Sequence, residues 1–357
     1  MTDKTTRIID IAKMARVSIG TVDRVLHNRG KVSDDKKERI EKILKELNYK
    51  PNEVARFLAS KRNYKLAALI PSSSDGDYWN IIQGGIDKAT EELNKFNLSL
   101  EYFHFDQYSQ SSYQQKAEQI LQQEFDGVLI SALYEESAAK LSNQLESKDI
   151  PYIYIDSNIS EQNNLAYFGG NSFLSGTIAA KLLIKEIGTG GNIILTHVMY
   201  KRDEVSAQMK TREFGFLDYL SQTNFSGQIY DIELTPNSQS ENIEKLKQIL
   251  MESSKPIGGI VFNSRIYQLI SLLDKLDTSL TNKMRLIGYD AIIRNAEYLK
   301  QDRIMYLISQ HPELQGYGSL KALGNYVVFK QTPDKMNYMP IDILIKENVD
   351  YNKNYKL

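Results

Sequence analysis

The chain has 357 residues, 41% hydrophobic and 25% charged, with 44 Lys+Arg against 45 Asp+Glu. Those proportions suit a globular protein longer than one average domain and argue against a disordered or membrane-embedded one. There is no cysteine, which excludes disulfides and thiolate zinc sites.

The near-zero net charge hides a split. Residues 1–63 carry 16 Lys+Arg and 9 Asp+Glu, whereas residues 64–357 carry 28 and 36. A basic head on an acidic body is what binding to a phosphate backbone needs. In the head, Thr6 is placed to cap a helix over Arg7 to Ala15, in which Ile8, Ile11, Ala12 and Ala15 recur at helical spacing. Ser18 can accept from a free amide at the start of a second helix whose inner face is Val22, Val25 and Leu26. Ile19, Gly20, Thr21 and Arg24 are left facing outward. Two short helices joined by a tight turn fit the helix-turn-helix geometry that enters a DNA major groove. A third helix is expected behind a Ser33 cap, with Asp34 and Asp35 in its first turn and Ile40, Ile43, Leu44 and Leu47 on one face. Pro51 marks a boundary, and Asn52 to Ser60 reads as a helical segment too short to be stable alone in water.

Residues 6–64 resemble the DNA-binding domain and hinge helix of the LacI/PurR family of bacterial transcription regulators. The resemblance is carried by Asp10-Ile11-Ala12, Ala15, Val17-Ser18, Thr21-Val22, Arg24-Val25, Val32-Ser33, Leu47-Asn48-Tyr49, Pro51-Asn52, Ala55 and Leu58-Ala59. It implies DNA contact by Ser18, Ile19, Gly20, Thr21, Arg24, Asn52, Ala55 and Leu58. The hinge Leu58 would wedge between base pairs in the minor groove. Arg24 is the candidate for a base contact, while Ile19 and Gly20 offer only apolar contact or close backbone approach. Arg7, Lys13, Arg16, Arg29 and Lys31 fit phosphate contacts or solvated charge. One position departs from the family: Asp23 stands before Arg24 where relatives usually carry Ser, placing an acid near the phosphates.

From residue 64 the pattern alternates strand and helix. Lys65 to Pro71 is an apolar run, followed by an amphipathic Asn80 to Asn94. Leu98–Phe105, Gly127–Ile130, Pro151–Asp156, Asn192–Thr196, Gln228–Leu234, Gly259–Asn263 and Arg285–Asp290 read as further strands. Helical spacing lies between them at Ser112–Gln123, Glu135–Ser147, Leu174–Ile187, Lys210–Thr223 and Glu241–Glu252. Repeated β-α-β units with continuous apolar strands predict parallel sheets covered by helices on both faces. Two such runs suggest two lobes, with a ligand where the strand C-terminal ends face one another.

This body resembles the type I periplasmic sugar-binding fold that the same family uses as an effector domain. The motifs are Tyr78-Trp79, Ile155-Asp156, Arg212-Glu213-Phe214-Gly215-Phe216, Phe262-Asn263, Gly288-Tyr289-Asp290 and Gln310. The resemblance implies effector contact by Tyr78, Trp79, Asp156, Arg212, Asn263, Asp290 and Gln310. The chemistry suits a carbohydrate: Asp, Asn and Arg pair with hydroxyls, and Trp79 offers a face for stacking. Ser157 and Ser264 depart from sugar-responsive relatives, so the sugar stays open and a non-sugar effector remains an alternative. Competing roles are a core position for Trp79, a loop start for Asp156, Asn263 and Asp290, and a helix-neighbour pair of Arg212 with Glu213 or Asp218.

The four histidines, His27, His104, His197 and His311, are scattered without metal-ligand spacing. Gly188-Thr189-Gly190-Gly191 lacks the Gly-Lys-Ser/Thr ending of a phosphate-binding loop, and no Gly-x-Ser-x-Gly elbow occurs. No catalysis, cofactor or metal is expected.

The sequence thus predicts a small all-α helix-turn-helix domain (1–50), a hinge (51–63) and an α/β two-lobed periplasmic-binding-protein-like domain (64–357). Its N-lobe is expected at 64–165 and 292–332, and its C-lobe at 166–291 and 333–357. The function expected is a homodimeric repressor on a pseudo-palindromic operator, controlled by a small ligand between the lobes. No apolar run reaches the length of a membrane span, and Met1-Thr2-Asp3-Lys4 begins no secretory signal, so the cytoplasm is the expected compartment. The tail from Ile343 shows no apolar heptads, which predicts a dimer without a coiled-coil tetramer. A transport solute-binding protein would explain the body but not the basic head. A sugar-processing enzyme fused to that head would need a catalytic constellation.

Overall fold

The computed structural model describes residues 8–26, 30, 32–47, 62–198, 206–235 and 238–353. The chain divides into two compact units, Met1–Lys61 and Arg62–Leu357. In the first unit α1 (Ile8–Ala15), α2 (Ile19–Leu26) and α3 (Asp34–Glu46) bury Ile11, Ala12, Ala15, Val22, Val25, Ile40 and Ile43 together. Helix α1 ends because Arg16 turns into the left-handed region (φ 55°). The amides of Arg16 and Val17 then close back onto the carbonyls of Lys13 (3.2 Å) and Ala12 (3.0 Å). Ser33 stands at the start of α3, but its side chain makes no capping bond there. Its carbonyl accepts from the amides of Lys36 and Lys37 instead, both at 3.0 Å. Thr6 and the segment 51–61 lie outside the described residues.

The second unit contains two mostly parallel sheets. The first half of the chain supplies β1 (Tyr64–Pro71), α4 (Tyr78–Leu93), β2 (Leu98–Phe105), α5 (Gln110–Leu121), β3 (Gly127–Ser131), α6 (Glu135–Ser147), β4 (Tyr152–Ile155) and β5 (Ala166–Gly169). Then come α7 (Ser172–Ile187), β6 (Asn192–Val198), α8 (Ala207–Gln222), β7 (Ile229–Leu234), α9 (Gln239–Glu252), β8 (Ile257–Val261) and α10 (Ile266–Leu273). The chain closes with α11 (Thr278–Thr281), β9 (Met284–Tyr289), α12 (Ile293–Lys300), β10 (Tyr306–Ser309), α13 (Pro312–Phe329), β11 (Met336–Tyr338) and β12 (Asp342–Leu344). The strand orders are β11-β5-β4-β3-β1-β2 and β12-β10-β9-β8-β6-β7. One order maps onto the other strand for strand, so the lobes are structural repeats. Among the strand pairings only that of β12 departs from the repeat, since β12 runs antiparallel to β10 whereas β11 runs parallel to β5. Strands such as Gly127–Ser131 and Ile257–Val261 are buried throughout, as strands covered on both faces must be.

The lobe boundaries differ from those expected. β5 pairs with β4, so residues 166–169 belong to the first lobe. β10 pairs with β9, which keeps residues 292–309 in the second lobe; the chain returns only with α13. β11 pairs with β5, so residues 336–338 lie in the first lobe. These strands are three or four residues long, and their pairings are non-local, so hydropathy alone does not reveal them.

In each lobe two helices cross at glycines. A Cβ on Gly85 of α4 would stand 2.0 Å from the carbonyl oxygen of Glu313, and one on Gly316 of α13 would stand 2.1 Å from that of Ile82. In the second lobe, a Cβ on Gly176 of α7 would meet the Arg212 carbonyl oxygen at 1.8 Å, and one on Gly215 of α8 the Phe173 carbonyl oxygen at 2.1 Å. The missing side chains let the helix backbones touch, and in the second lobe this contact seats α8 against α7.

Candidate functional site

On the first unit, α2 turns Val22 and Val25 inward and leaves Ser18, Ile19, Gly20 and Arg24 exposed, with Thr21 half-buried. Ser18 caps the helix as its position suggests: its Oγ accepts from the Thr21 amide at 3.2 Å and lies 2.9 Å from the Thr21 hydroxyl. The structure therefore gathers Ser18, Ile19, Gly20 and Thr21 at the start of α2, with Arg24 in its last turn. Asn52, Ala55 and Leu58 lie outside the described residues.

In the second unit the parallel strands of both lobes end at a cleft of about 480 Å³. All seven residues singled out from the sequence line it: Tyr78, Trp79, Asp156, Arg212, Asn263, Asp290 and Gln310. Tyr78 and Trp79 open α4. Asp156 follows β4, Asp290 follows β9 and Gln310 follows β10. Asp156 and Asp290 occupy equivalent places in the two repeats. Both are left-handed (φ 68° and 60°), and each donates its amide to the neighbouring strand, to Phe168 and Ile308, at 2.9 Å. Aspartate tolerates that conformation better than bulky residues. Repeat symmetry thus aims one carboxylate from each lobe into the same space.

A polar network joins these groups. Tyr78 Oη donates to Asp156 Oδ1 at 2.5 Å, and Gln208 Nε2 donates to the same oxygen at 2.9 Å. Gln310 Nε2 faces both Asp290 oxygens at 3.3 Å. Arg212 is 1% exposed. It donates Nη1 to the Phe262 carbonyl at 2.7 Å, donates Nη2 to Gln310 Oε1, and lies 4.3 Å over the Tyr289 ring. Its Nε has no hydrogen-bond partner among the described residues, leaving one buried donor on the cleft wall for a ligand oxygen. Glu213 bonds His197 at 3.0 Å, so Arg212 has turned into the cleft away from its helix neighbour.

Burial pushes the Asp290 carboxyl up to about 7, against the pull of the Arg212 cation and the Gln310 hydrogen bond. Asp156 is also raised by burial, opposed by its bonds from Tyr78 and Gln208 and by Arg212. Burial and the adjacent Asp156 hold the Tyr78 phenol well above its usual range. The cleft thus offers fixed acceptors and donors out of water, which is an arrangement for recognising hydroxyls.

Two of the seven also make contacts within their own lobe. Trp79 is 7% exposed and packs edge-to-face on Tyr78 at 5.7 Å, so it serves the wall of the lobe as well as lining the cleft. Asn263 turns back into its own loop, accepting from the Arg265 amide at 3.0 Å. Other lining residues were not foreseen: Gln208, one turn before Arg212; the tyrosines Tyr108, Tyr134 and Tyr267; and Arg265. Arg265 reaches across the cleft to Gln107 Oε1 at 2.7 Å and covers the Tyr108 ring at 4.9 Å. The spacing of Gln208 from Arg212 on one helix face was the available signal.

The periplasmic binding protein domain family matches residues 67–331, and the lacI family of bacterial regulatory proteins matches residues 7–52. The ribose operon repressor of Lactococcus lactis subsp. lactis (strain IL1403) is 25% identical over 294 residues, 80% of this chain and 81% of that protein. Catabolite control protein A of Staphylococcus xylosus is 41% identical over 86 residues, 24% of this chain and 26% of that protein. The crystal structure of a Bacteroides fragilis protein described as a LacI transcriptional regulator aligns with a TM-score of 0.74 and 33% identity. It covers 81% of this chain and 99% of that one.

Proposed function

The chain belongs to the lacI family of bacterial regulatory proteins, and from that premise we propose that a sugar held in the cleft sets how tightly a homodimer of it grips DNA. It is a DNA-binding transcription regulator and not an enzyme. The observation that carries the effector reading is the convergence of Asp156, Arg212, Asp290 and Gln310 into one buried hydrogen-bonded set across two lobes. A hydroxylated ring takes the place of some of these mutual bonds and satisfies Arg212 Nε.

Two α2 helices would lie in successive major grooves, with Arg24 reading a base edge, Ser18 and Thr21 at the phosphates, and Ile19 and Gly20 against the groove floor. Asn52, Ala55 and Leu58 of the paired hinge segments would meet the minor groove between them, Leu58 as the wedge. Equal operator affinity in Leu58→Ala sinks the wedge. A ligand that favours lobe positions holding the hinges apart releases DNA, and repression relieved by the sugar follows. Among the described residues no helix is long and apolar enough to cross a membrane, and we place the protein in the cytoplasm with its operator.

The test is a thermal-shift screen of the full chain against pentoses, hexoses, disaccharides, sugar phosphates and nucleosides. Ribose heads the panel because one relative is named a ribose operon repressor. Ligand at 100 times its dissociation constant stabilises by about 2.7 kcal/mol, a rise of roughly 4 °C for a unit of this size. A sugar hit that disappears in Asp156→Asn supports the reading; silence across the sugars overturns it.

A further inference from the structure

In the second lobe, three chain segments bring together ligand-type side chains that no sequence spacing links. His197 stands on β6, Glu213 on α8 and Asp231 on β7, which is the edge strand of its sheet. His197 Nε2 lies 3.0 Å from Glu213 Oε2, and one ligand atom from each of the three residues falls within 4.8 Å of the others. The register explains the meeting. His197 lies opposite Glu233 and Leu195 opposite Asp231, so Asp231 is the diagonal neighbour of His197 on the same sheet face. Helix α8 covers that face and brings Glu213 over it.

We propose that His197, Glu213 and Asp231 form a binding site for a divalent first-row transition metal ion, Zn²⁺ above all. One imidazole nitrogen and two carboxylates suit that class, with bonds of about 2.0–2.2 Å to each donor. Ligand atoms 3.0 to 4.8 Å apart need only side-chain rotation to surround one such ion. The Asp231 side chain is exposed and its carboxylate makes no hydrogen bond among the described residues, which gives the ion an entry path and a free ligand. The nearby Lys245 ammonium is engaged at 2.6 Å with the Asp231 backbone carbonyl. The His197 ring is held by stacking on Phe262, 6.5 Å between centroids and 29° between planes.

The site touches the cleft through two short routes. Glu213 is bonded in sequence to Arg212, and Phe262 gives its ring to His197 while its carbonyl accepts from Arg212. An ion here ties α8 to the edge of the sheet and stiffens the helix that carries Gln208 and Arg212. This site does not depend on the effector being a sugar.

The experiment uses the tag-free full chain, stripped with a chelator, and titrates zinc chloride alone by calorimetry with magnesium chloride as the comparison. One saturable zinc site per chain is expected, with at least tenfold weaker binding in both Glu213→Gln and Asp231→Asn and none at this site in His197→Gln. Asp231 is exposed, so its variant folds as the parent does and keeps the test decisive. No saturable zinc binding overturns the proposal, as does binding whose strength is unchanged in Asp231→Asn and Glu213→Gln.

Discussion

Replacing Gly176 by alanine perturbs the cleft without touching a ligand-facing side chain. The new Cβ would stand 1.8 Å from the Arg212 carbonyl oxygen and 3.0 Å from the Phe216 amide, where ordinary contact begins at 3.4 Å. Both neighbours are backbone, so no rotamer change relieves the clash, and α8 must move away from α7. Overpacking of this kind costs about 1–3 kcal/mol, and the gain from replacing glycine within a helix returns only about 1 kcal/mol. The displacement also draws Arg212 from the Phe262 carbonyl and Gln310. Urea unfolding should therefore show a lower midpoint for Gly176→Ala, and sugar binding should weaken with it. Gly84→Ala is the control, since nothing lies within 4 Å of its added Cβ; the same helix gain then appears unopposed and stability rises. If Gly176→Ala proves as stable as the parent and binds sugar equally, the glycine crossing does not position Arg212, and the reasoning fails.

Two further perturbations report on buried polar groups. Burial holds the Asp290 carboxyl at about 7, so the folded chain keeps a proton there that the unfolded chain releases at about 3.9. Stability from this group is fully present below about pH 4 and is lost as pH rises through about 7. Asp156 is shifted in the same direction. Asp290→Asn should flatten the decline in unfolding free energy between about pH 4 and pH 7; an unchanged slope refutes the assignment. The Tyr113 hydroxyl is buried without a hydrogen-bond partner among the described residues. Tyr113→Phe should raise the urea midpoint, with a gain of roughly 1 kcal/mol in unfolding free energy, and a loss of that size would mean the hydroxyl is bonded after all.

Legibility in the sequence follows the physics of each element. The buried central strands read clearly because a parallel sheet covered on both faces demands continuous apolar runs such as Leu66 to Ile70. β5, β10, β11 and β12 did not, because three or four residues carry too little pattern and their partners are distant in sequence. The lobe crossings shifted with them. In the head, the apolar spacing of α1, α2 and α3 reads directly, while the capping of α3 by the Ser33 carbonyl instead of its hydroxyl does not. In the cleft, the carboxylates were legible because polar residues at the ends of parallel strands meet where the two sheets face each other. Gln208 and Arg265 were not, since a polar side chain on a helix or loop carries no mark of its direction. The same limit hid the meeting of His197, Glu213 and Asp231, which depends on strand register and on how α8 lies across the sheet.

The most direct measurement is operator affinity of the full chain, by fluorescence anisotropy on a duplex selected from random DNA, with the screened sugar absent and then saturating. Coupling of about 1–3 kcal/mol between sites corresponds to a 5- to 150-fold change. The account predicts a loss of affinity within that range for the parent chain. It predicts no sugar response in Asp290→Ala, whose binding to DNA without sugar persists. Operator affinity that stays the same at saturating sugar would contradict it.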